Sequence, residues 1–154
     1  MGALFFVAIV PAVLICCGRM AGLPLFIQCP RTHEILVSLA AIPTGIFFLA
    51  WSVTAQWRIG QGTPAPIAPT QKLIVEGPYK LCRNPVELGA ILYYLGLGTL
   101  LDSLATGLAC LAISFLFGSA YHKFVEEKEL VLRFGEQYLD YKASTPFLIP
   151  RFWK

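Results

Sequence analysis

Charge is scarce in this chain. Of its 154 residues only 21 are Lys, Arg, Asp or Glu, which is 14%, against roughly 25% in an ordinary soluble domain. Histidine occurs twice, as His33 and His122. The five cysteines, Cys16, Cys17, Cys29, Cys82 and Cys110, contain no CxxC pair. So few well-spaced ligands argue against a zinc site, and no metal is expected. The net charge of +3 is too small for a nucleic-acid footprint, so no nucleic-acid partner is expected. The composition also excludes a disordered chain and a disulfide scaffold.

What is abundant is apolar: 56% of the residues are hydrophobic and the mean hydropathy is +0.66. Four runs lack charge, at 1–18, 35–57, 88–101 and 103–121. A helix rises about 1.5 Å per residue and needs about 20 residues to cross the hydrocarbon. These runs predict four membrane helices, roughly 3–18, 33–55, 86–101 and 104–122. The last two are separated only by Leu101-Asp102-Ser103, which predicts a tight hairpin with Asp102 or Ser103 as N-cap. No Lys or Arg precedes Arg19, so the basic start of a signal peptide is missing.

Ten basic residues fall in 56–85 and 123–154, against Arg19 and Arg31 on the other side. The positive-inside rule then places both basic segments in the cytoplasm. The expected fold is an all-α polytopic membrane protein with a cytoplasmic C-terminal helical segment. We read it as one membrane domain, with two helices in 1–57 and a catalytic core in 58–154.

Three polar features stand out. Gly60 to Pro85 is rich in glycine and proline, including Gly60-Gln61-Gly62-Thr63-Pro64 and Gly77-Pro78-Tyr79-Lys80 before Arg83-Asn84-Pro85. Such residues specify ordered turns, and such loops offer backbone N–H groups to a polar ligand. Next, His122-Lys123-Phe124-Val125-Glu126-Glu127 follows the fourth apolar run. His122 and Glu126 share a helix face, and two acids at the membrane edge are costly unless used. Last, Phe134, Tyr138 and Tyr141 fall at helical spacing. Phe147, Ile149, Phe152 and Trp153 then offer an apolar return to the interface.

Together these features resemble the isoprenylcysteine carboxyl methyltransferase and phospholipid methyltransferase superfamily of small integral membrane enzymes. The resemblance rests on GQGTPAP at 60–66, GPYKLCRNP at 77–85, EEKEL at 126–130, RFGEQYLDY from 133 and TPFLIP to 150. It implies methyl transfer from S-adenosylmethionine to a lipid or lipidated hydrophobic acceptor at the cytoplasmic face. The implied cofactor residues are Gly60, Gly62, Thr63, Gly77, Pro78, Tyr79, Arg83, Asn84, Pro85, Glu87, Glu126 and Glu127. The implied catalytic residues are His122 and Glu126 for an amine acceptor, with Lys123 for a carboxylate.

The chain departs from the family pattern at Glu87, where a tyrosine is usual, and Asn84 follows the phospholipid-type branch. Glu87 is read either as an acid favoured by the helix dipole or as a contact for an ammonium group. Two other readings are an NADPH-dependent membrane reductase of the sterol-reductase type and a non-catalytic membrane protein on the same scaffold. The few basic residues disfavour the first, and the intact Glu126, Glu127 and Gly62-Thr63-Pro64 disfavour the second.

Overall fold

The structure, a computed structural model, describes residues 5–25, 29–61 and 70–151. Gly62, Thr63, Phe152 and Trp153 lie outside the described residues. Every regular element among the described residues is helical. A π-helical turn, Phe5–Ile9, leads into α1 (Val10–Met20), and a 3-10 turn follows at Leu23–Leu25. Then come α2 (Arg31–Arg58), α3 (Pro78–Leu81), α4 (Pro85–Leu101) and α5 (Leu104–Tyr121). A second π-helical turn, His122–Glu126, joins α5 to α6 (Glu127–Phe134), and α7 spans Glu136–Ser144.

In the described residues the four apolar runs are therefore helical from Phe5, Ile35, Leu88 and Leu104 onward. Two helices are long and apolar enough to cross a membrane: α2, with 28 residues, and the continuous run Leu104–Phe134, with 31. Phe5–Met20 and α4 are apolar but shorter. The 17 residues of α4 rise about 25 Å, a little less than the roughly 30 Å of hydrocarbon.

The helices bury what a soluble helix exposes. Along α2 the inward positions are Glu34, Ser38, Ala41, Gly45, Phe48, Ser52 and Ala55, at alternating spacings of four and three. Its exposed positions include Leu36, Leu39, Ile46 and Phe47. Five of the seven inward residues are small and the outward ones are large and apolar, the pattern of helices packing in lipid. The hydroxyls are satisfied within the helix: Ser38 donates to Glu34 O at 2.8 Å and Ser52 to Phe48 O at 2.6 Å. Those two hydroxyls are thereby spared the cost of desolvation in an apolar surrounding.

The chain divides into two compact units, Met1–Ile46 with Gly89–Leu116, and Phe47–Leu88 with Phe117–Lys154. In the first, Ile15, Tyr94 and Cys110 form a core flanked by Leu14 and Leu97. Backbone contact is tight there: a Cβ at Gly45 would stand 2.6 Å from the Tyr93 backbone nitrogen. The hairpin turn is capped as expected, because Ser103 Oγ accepts the Thr106 N–H at 3.2 Å. The second unit contains the described parts of the three polar motifs.

Candidate active site

The floor of the site is the segment 77–85. Gly77 has φ 61° and ψ −130°, a conformation that strains any side chain, and it turns the chain into α3 behind Pro78. Beyond α3 the backbone runs extended. Arg83 N–H donates to Pro146 O at 2.9 Å, Asn84 N–H to Phe147 O at 3.2 Å, and Arg151 N–H to Leu81 O at 3.0 Å. The described GPYKLCRNP and TPFLIP motifs are thus the two sides of one backbone pairing. That pairing satisfies peptide groups no helix could.

The wall comes from α7. Gly135, with φ 52° and ψ −129°, breaks the helix after α6 and starts α7 in a new direction. Tyr138 and Tyr141 then point inward and are buried. Tyr141 donates from its hydroxyl to Tyr79 O at 2.6 Å. Arg83 reaches Tyr138 Oη at 3.3 Å and stacks over Phe147 at 5.5 Å from the ring centroid. Burial lifts the Tyr79 and Tyr141 phenols well above their ordinary range, so both stay protonated donors at neutral pH.

The carboxylates enter from the π-helical turn. In a regular α-helix Glu126 and Glu127 point about 100° apart. Here the Glu127 N–H bonds to His122 O, five residues back. The wider turn lets both acids line the same cleft with Arg83, Asn84, Tyr79 and Gln56. Their situations differ. Glu127 is pinned between Arg83 at 2.5 Å and Lys142 at 2.6 Å. Burial alone would raise its carboxyl pKa, but the hydrogen bonds and charges of Lys142 and Arg83 prevail and lower it. Glu126 is 39% exposed at its side chain and meets only His122 among the ion pairs of the described residues.

His122 sits between two acids. Its Nδ1 contacts Glu126, and its Nε2 lies 3.4 Å from Glu87 Oε2. Glu87 is buried, and its Oε1 accepts the Ser119 hydroxyl at 2.9 Å. A Cβ at Gly118 would stand 2.8 Å from that oxygen, so the glycine makes room for the acid.

Of the residues expected from the sequence, Tyr79, Arg83, Asn84, His122, Glu126 and Glu127 line one cleft. Glu87 touches it through His122. Pro78 and Pro85 are buried and shape the floor, and Gly77 turns it. Gly60 has a packing role: its N–H donates to Ala55 O and its carbonyl accepts Gln71 N–H. Lys123 is exposed and stands outside the cleft lining.

The sequence reading missed Gln56, Tyr138 and Tyr141 as lining residues. The two tyrosines had a helical-spacing signal, but Gln56 had none. Gln56 Nε2 donates to Tyr79 Oη at 2.7 Å, while its Oε1 is buried without a partner among the described residues.

Cys82 lies in the floor with no exposed surface. Burial pushes its thiol up to about 11, with the Glu87 charge adding and a backbone hydrogen bond at Asn84 opposing. About one thiol in a thousand would then be ionised at pH 8. A polar maleimide at pH 8 is expected to leave Cys82 unmodified in the folded protein and to label it after denaturation. Peptide mass spectrometry reads both states.

By fold and site, this is an all-helical protein with lipid-type helix packing and a polar cleft built from its last hundred residues. The chain belongs to the phospholipid methyltransferase family, whose sequence pattern it matches over residues 33–137. It is also 35% identical over 80 residues to the cobalt-zinc-cadmium resistance protein CzcN of Cupriavidus metallidurans. That match covers 51% of this chain and 36% of the relative, so the chain spans little more than a third of that protein's length. Among the described residues no group of three or more His, Cys, Asp or Glu is placed to hold a metal ion.

Proposed function

We propose that the protein is an integral membrane methyltransferase that uses S-adenosylmethionine to methylate a lipid or other hydrophobic acceptor at the cytoplasmic face. The observation that carries this reading is the cleft's donor and acceptor set. Two buried polar atoms of its lining, Gln56 Oε1 and Arg83 Nε, have no partner among the described residues. Beside them stands Glu126, half exposed. Acceptors for an ammonium or ribose hydroxyls and donors for a carboxylate fit the polar groups of this cofactor. The tyrosine rings suit its adenine and its positive sulfur. When bound, the cofactor supplies an activated methyl group. The chain's task is then to align the acceptor and remove its proton where it has one.

We assign the roles as follows. Glu126, Gln56 and Asn84 hold the cofactor's polar groups. Arg83 lends its free Nε while its other nitrogen keeps Glu127 in place. Gly60, Gly77, Pro78 and Pro85 shape the loop, and the family resemblance adds Gly62 and Thr63 to the cofactor's contacts. His122 and Glu126 serve the acceptor's proton. Lys123 would serve a carboxylate acceptor brought in from the bilayer surface. Four spans, with both basic segments cytoplasmic, let the acceptor arrive laterally from lipid and the cofactor from water.

The test is titration calorimetry of the purified protein with S-adenosylmethionine, S-adenosylhomocysteine and NADPH. The first two should bind and the third should not. Failure of both adenosyl compounds to bind would sink the methyltransferase reading, and binding of NADPH instead would favour a reductase.

A further inference from the structure

The helix that carries the two cleft acids is longer than a membrane needs. The run Leu104–Phe134 is continuous over 31 residues and rises about 46 Å, against about 30 Å of hydrocarbon. About 20 residues suffice for the crossing, so the π-helical turn and α6 lie at the membrane edge or beyond it. In an upright helix Leu132 would stand roughly 14 Å past the hydrocarbon, beyond a headgroup layer about 5–8 Å deep.

The side chains there are wrong for water. On one side of the helix His122, Glu126, Glu127 and Leu130 line the cleft. On the other, Phe124 is 64% exposed, Val125 48% and Leu132 87%. Phe124, Lys128 and Leu132 are four apart and fall in one line. That line continues the exposed Phe117 and Tyr121 at the end of α5, at helical spacing. Lys128 is exposed between the two apolar side chains, and Lys123 is exposed close by. Neither lysine forms an ion pair among the described residues, whereas the exposed acid of α6, Glu129, is matched by Arg133 at 3.1 Å. An apolar line with unmatched lysines in it is the face an amphipathic helix presents to a leaflet. The apolar groups enter the acyl boundary, and the lysines snorkel to the phosphates.

We propose that the outward face of the π-helical turn and α6 docks on an anionic lipid surface. The helix then lies aslant in the headgroup layer, with the cleft on its opposite side. Tilting lowers Leu132 from water into the interface at modest cost. Lys123 and Lys128 are each drawn to the negative surface potential. A second copy of the chain would also cover the apolar groups. A two-fold contact centred on this line, however, would set Lys128 against its own copy with no acid to match it. The docking rests on α5 crossing the membrane and holds whatever reaction the cleft performs.

The experiment attaches a nitroxide at Leu132→Cys or, as an internal check, at Phe117→Cys. Cys16, Cys17 and Cys29 are changed to serine in the full chain, and Cys82 and Cys110 are buried. The proteins are placed in nanodiscs of phosphatidylcholine, alone or mixed with phosphatidylglycerol. Power-saturation electron paramagnetic resonance compares collisions with oxygen, which concentrates in lipid, and with a water-soluble nickel chelate.

Both positions should favour oxygen, Phe117→Cys more strongly. At Leu132→Cys the preference should grow when phosphatidylglycerol is added, by about fivefold in docked over undocked population for each lysine. Lys123→Glu with Lys128→Glu should remove that gain. Nickel access at position 132 equal to that of a label in bulk water, with position 117 shielded, overturns the docking alone. So does an oxygen preference at 132 that ignores lipid charge, or spin–spin broadening from a second copy. Nickel access at 117 as well overturns the membrane crossing of α5, and the docking with it.

Discussion

Glu127→Ala should abolish donor binding and also destabilise the fold, whereas Glu126→Ala should abolish binding alone. The two acids are neighbours in sequence but differ in what they touch. Glu127 joins Arg83 to Lys142, and the Arg83 and Glu127 side chains are only 11% and 12% exposed. Removing it leaves a guanidinium nearly out of water, held by Tyr138 and the face of Phe147. Breaking one side of a buried pair costs about 3–5 kcal/mol. The Lys142 end is open to solvent, so we expect the lower end, about 3 kcal/mol. Glu126 makes no such bridge, and its removal touches only His122 among the paired groups. Thermal unfolding in detergent and titration with S-adenosylmethionine, run on both variants, separate the two effects. Equal melting temperatures for the two variants would show that the Glu127 bridge contributes nothing.

The same pair gives a pH signature. The Glu127 carboxyl titrates below the ordinary 4.5 of a glutamate. A depressed acid stabilises the fold fully above its unfolded value, and that share is lost as pH falls through the folded value. Wild type should therefore lose stability below about pH 4.5 more steeply than Glu127→Gln, which carries no titrating group there. Parallel curves would show that Glu127 is not the group responsible.

Much of this was legible in the sequence, for identifiable reasons. Charge-free runs report helices directly, because a buried backbone in lipid has few other solutions. The ordered motifs marked 77–85 and 145–150 as parts of one family pattern. They could not report that the two segments pair: the bonds from Arg83 and Asn84 to Pro146 and Phe147 use backbone groups, which carry no residue code. The π-helical turn was equally hidden, since residues 122–126 read as ordinary helix. One five-residue hydrogen bond brings Glu127 onto the cleft beside Glu126. Gln56 ends an apolar helix and matches no motif, so only its position beside Tyr79 reveals it. Gly60 looked like a ligand loop by composition, yet a Cβ there would stand 2.7 Å from Thr70 Cγ2, which marks it as a packing glycine.

Glu34→Leu should be the most damaging single change in the first unit. Glu34 is buried in α2, and its Oε1 accepts the N–H of Leu104, the first residue of α5, at 2.9 Å. It is therefore a helix cap supplied by a different helix. Its second oxygen pairs with Arg31 at 3.1 Å, and Arg31 donates to Leu100 O at 2.7 Å. Arg19 treats the same turn alike, bonding Leu101 O and pairing with Asp102 at 2.7 Å. The two arginines satisfy carbonyls at the end of α4 that the turn leaves without helical donors. Leucine at 34 is close to glutamate in volume and apolar, so lost hydrophobic contact would not explain a defect. It would strip the Leu104 N–H of its acceptor and free Arg31, for a loss of about 2–4 kcal/mol. Glutamine keeps a carbonyl for Leu104 and loses only the charge, so Glu34→Gln should lose about 1 kcal/mol. Unfolding followed by tryptophan fluorescence in a fixed detergent would rank the three proteins. A glutamine variant as unstable as the leucine variant would mean that the charge on Glu34, rather than its bond to Leu104, holds the hairpin in place.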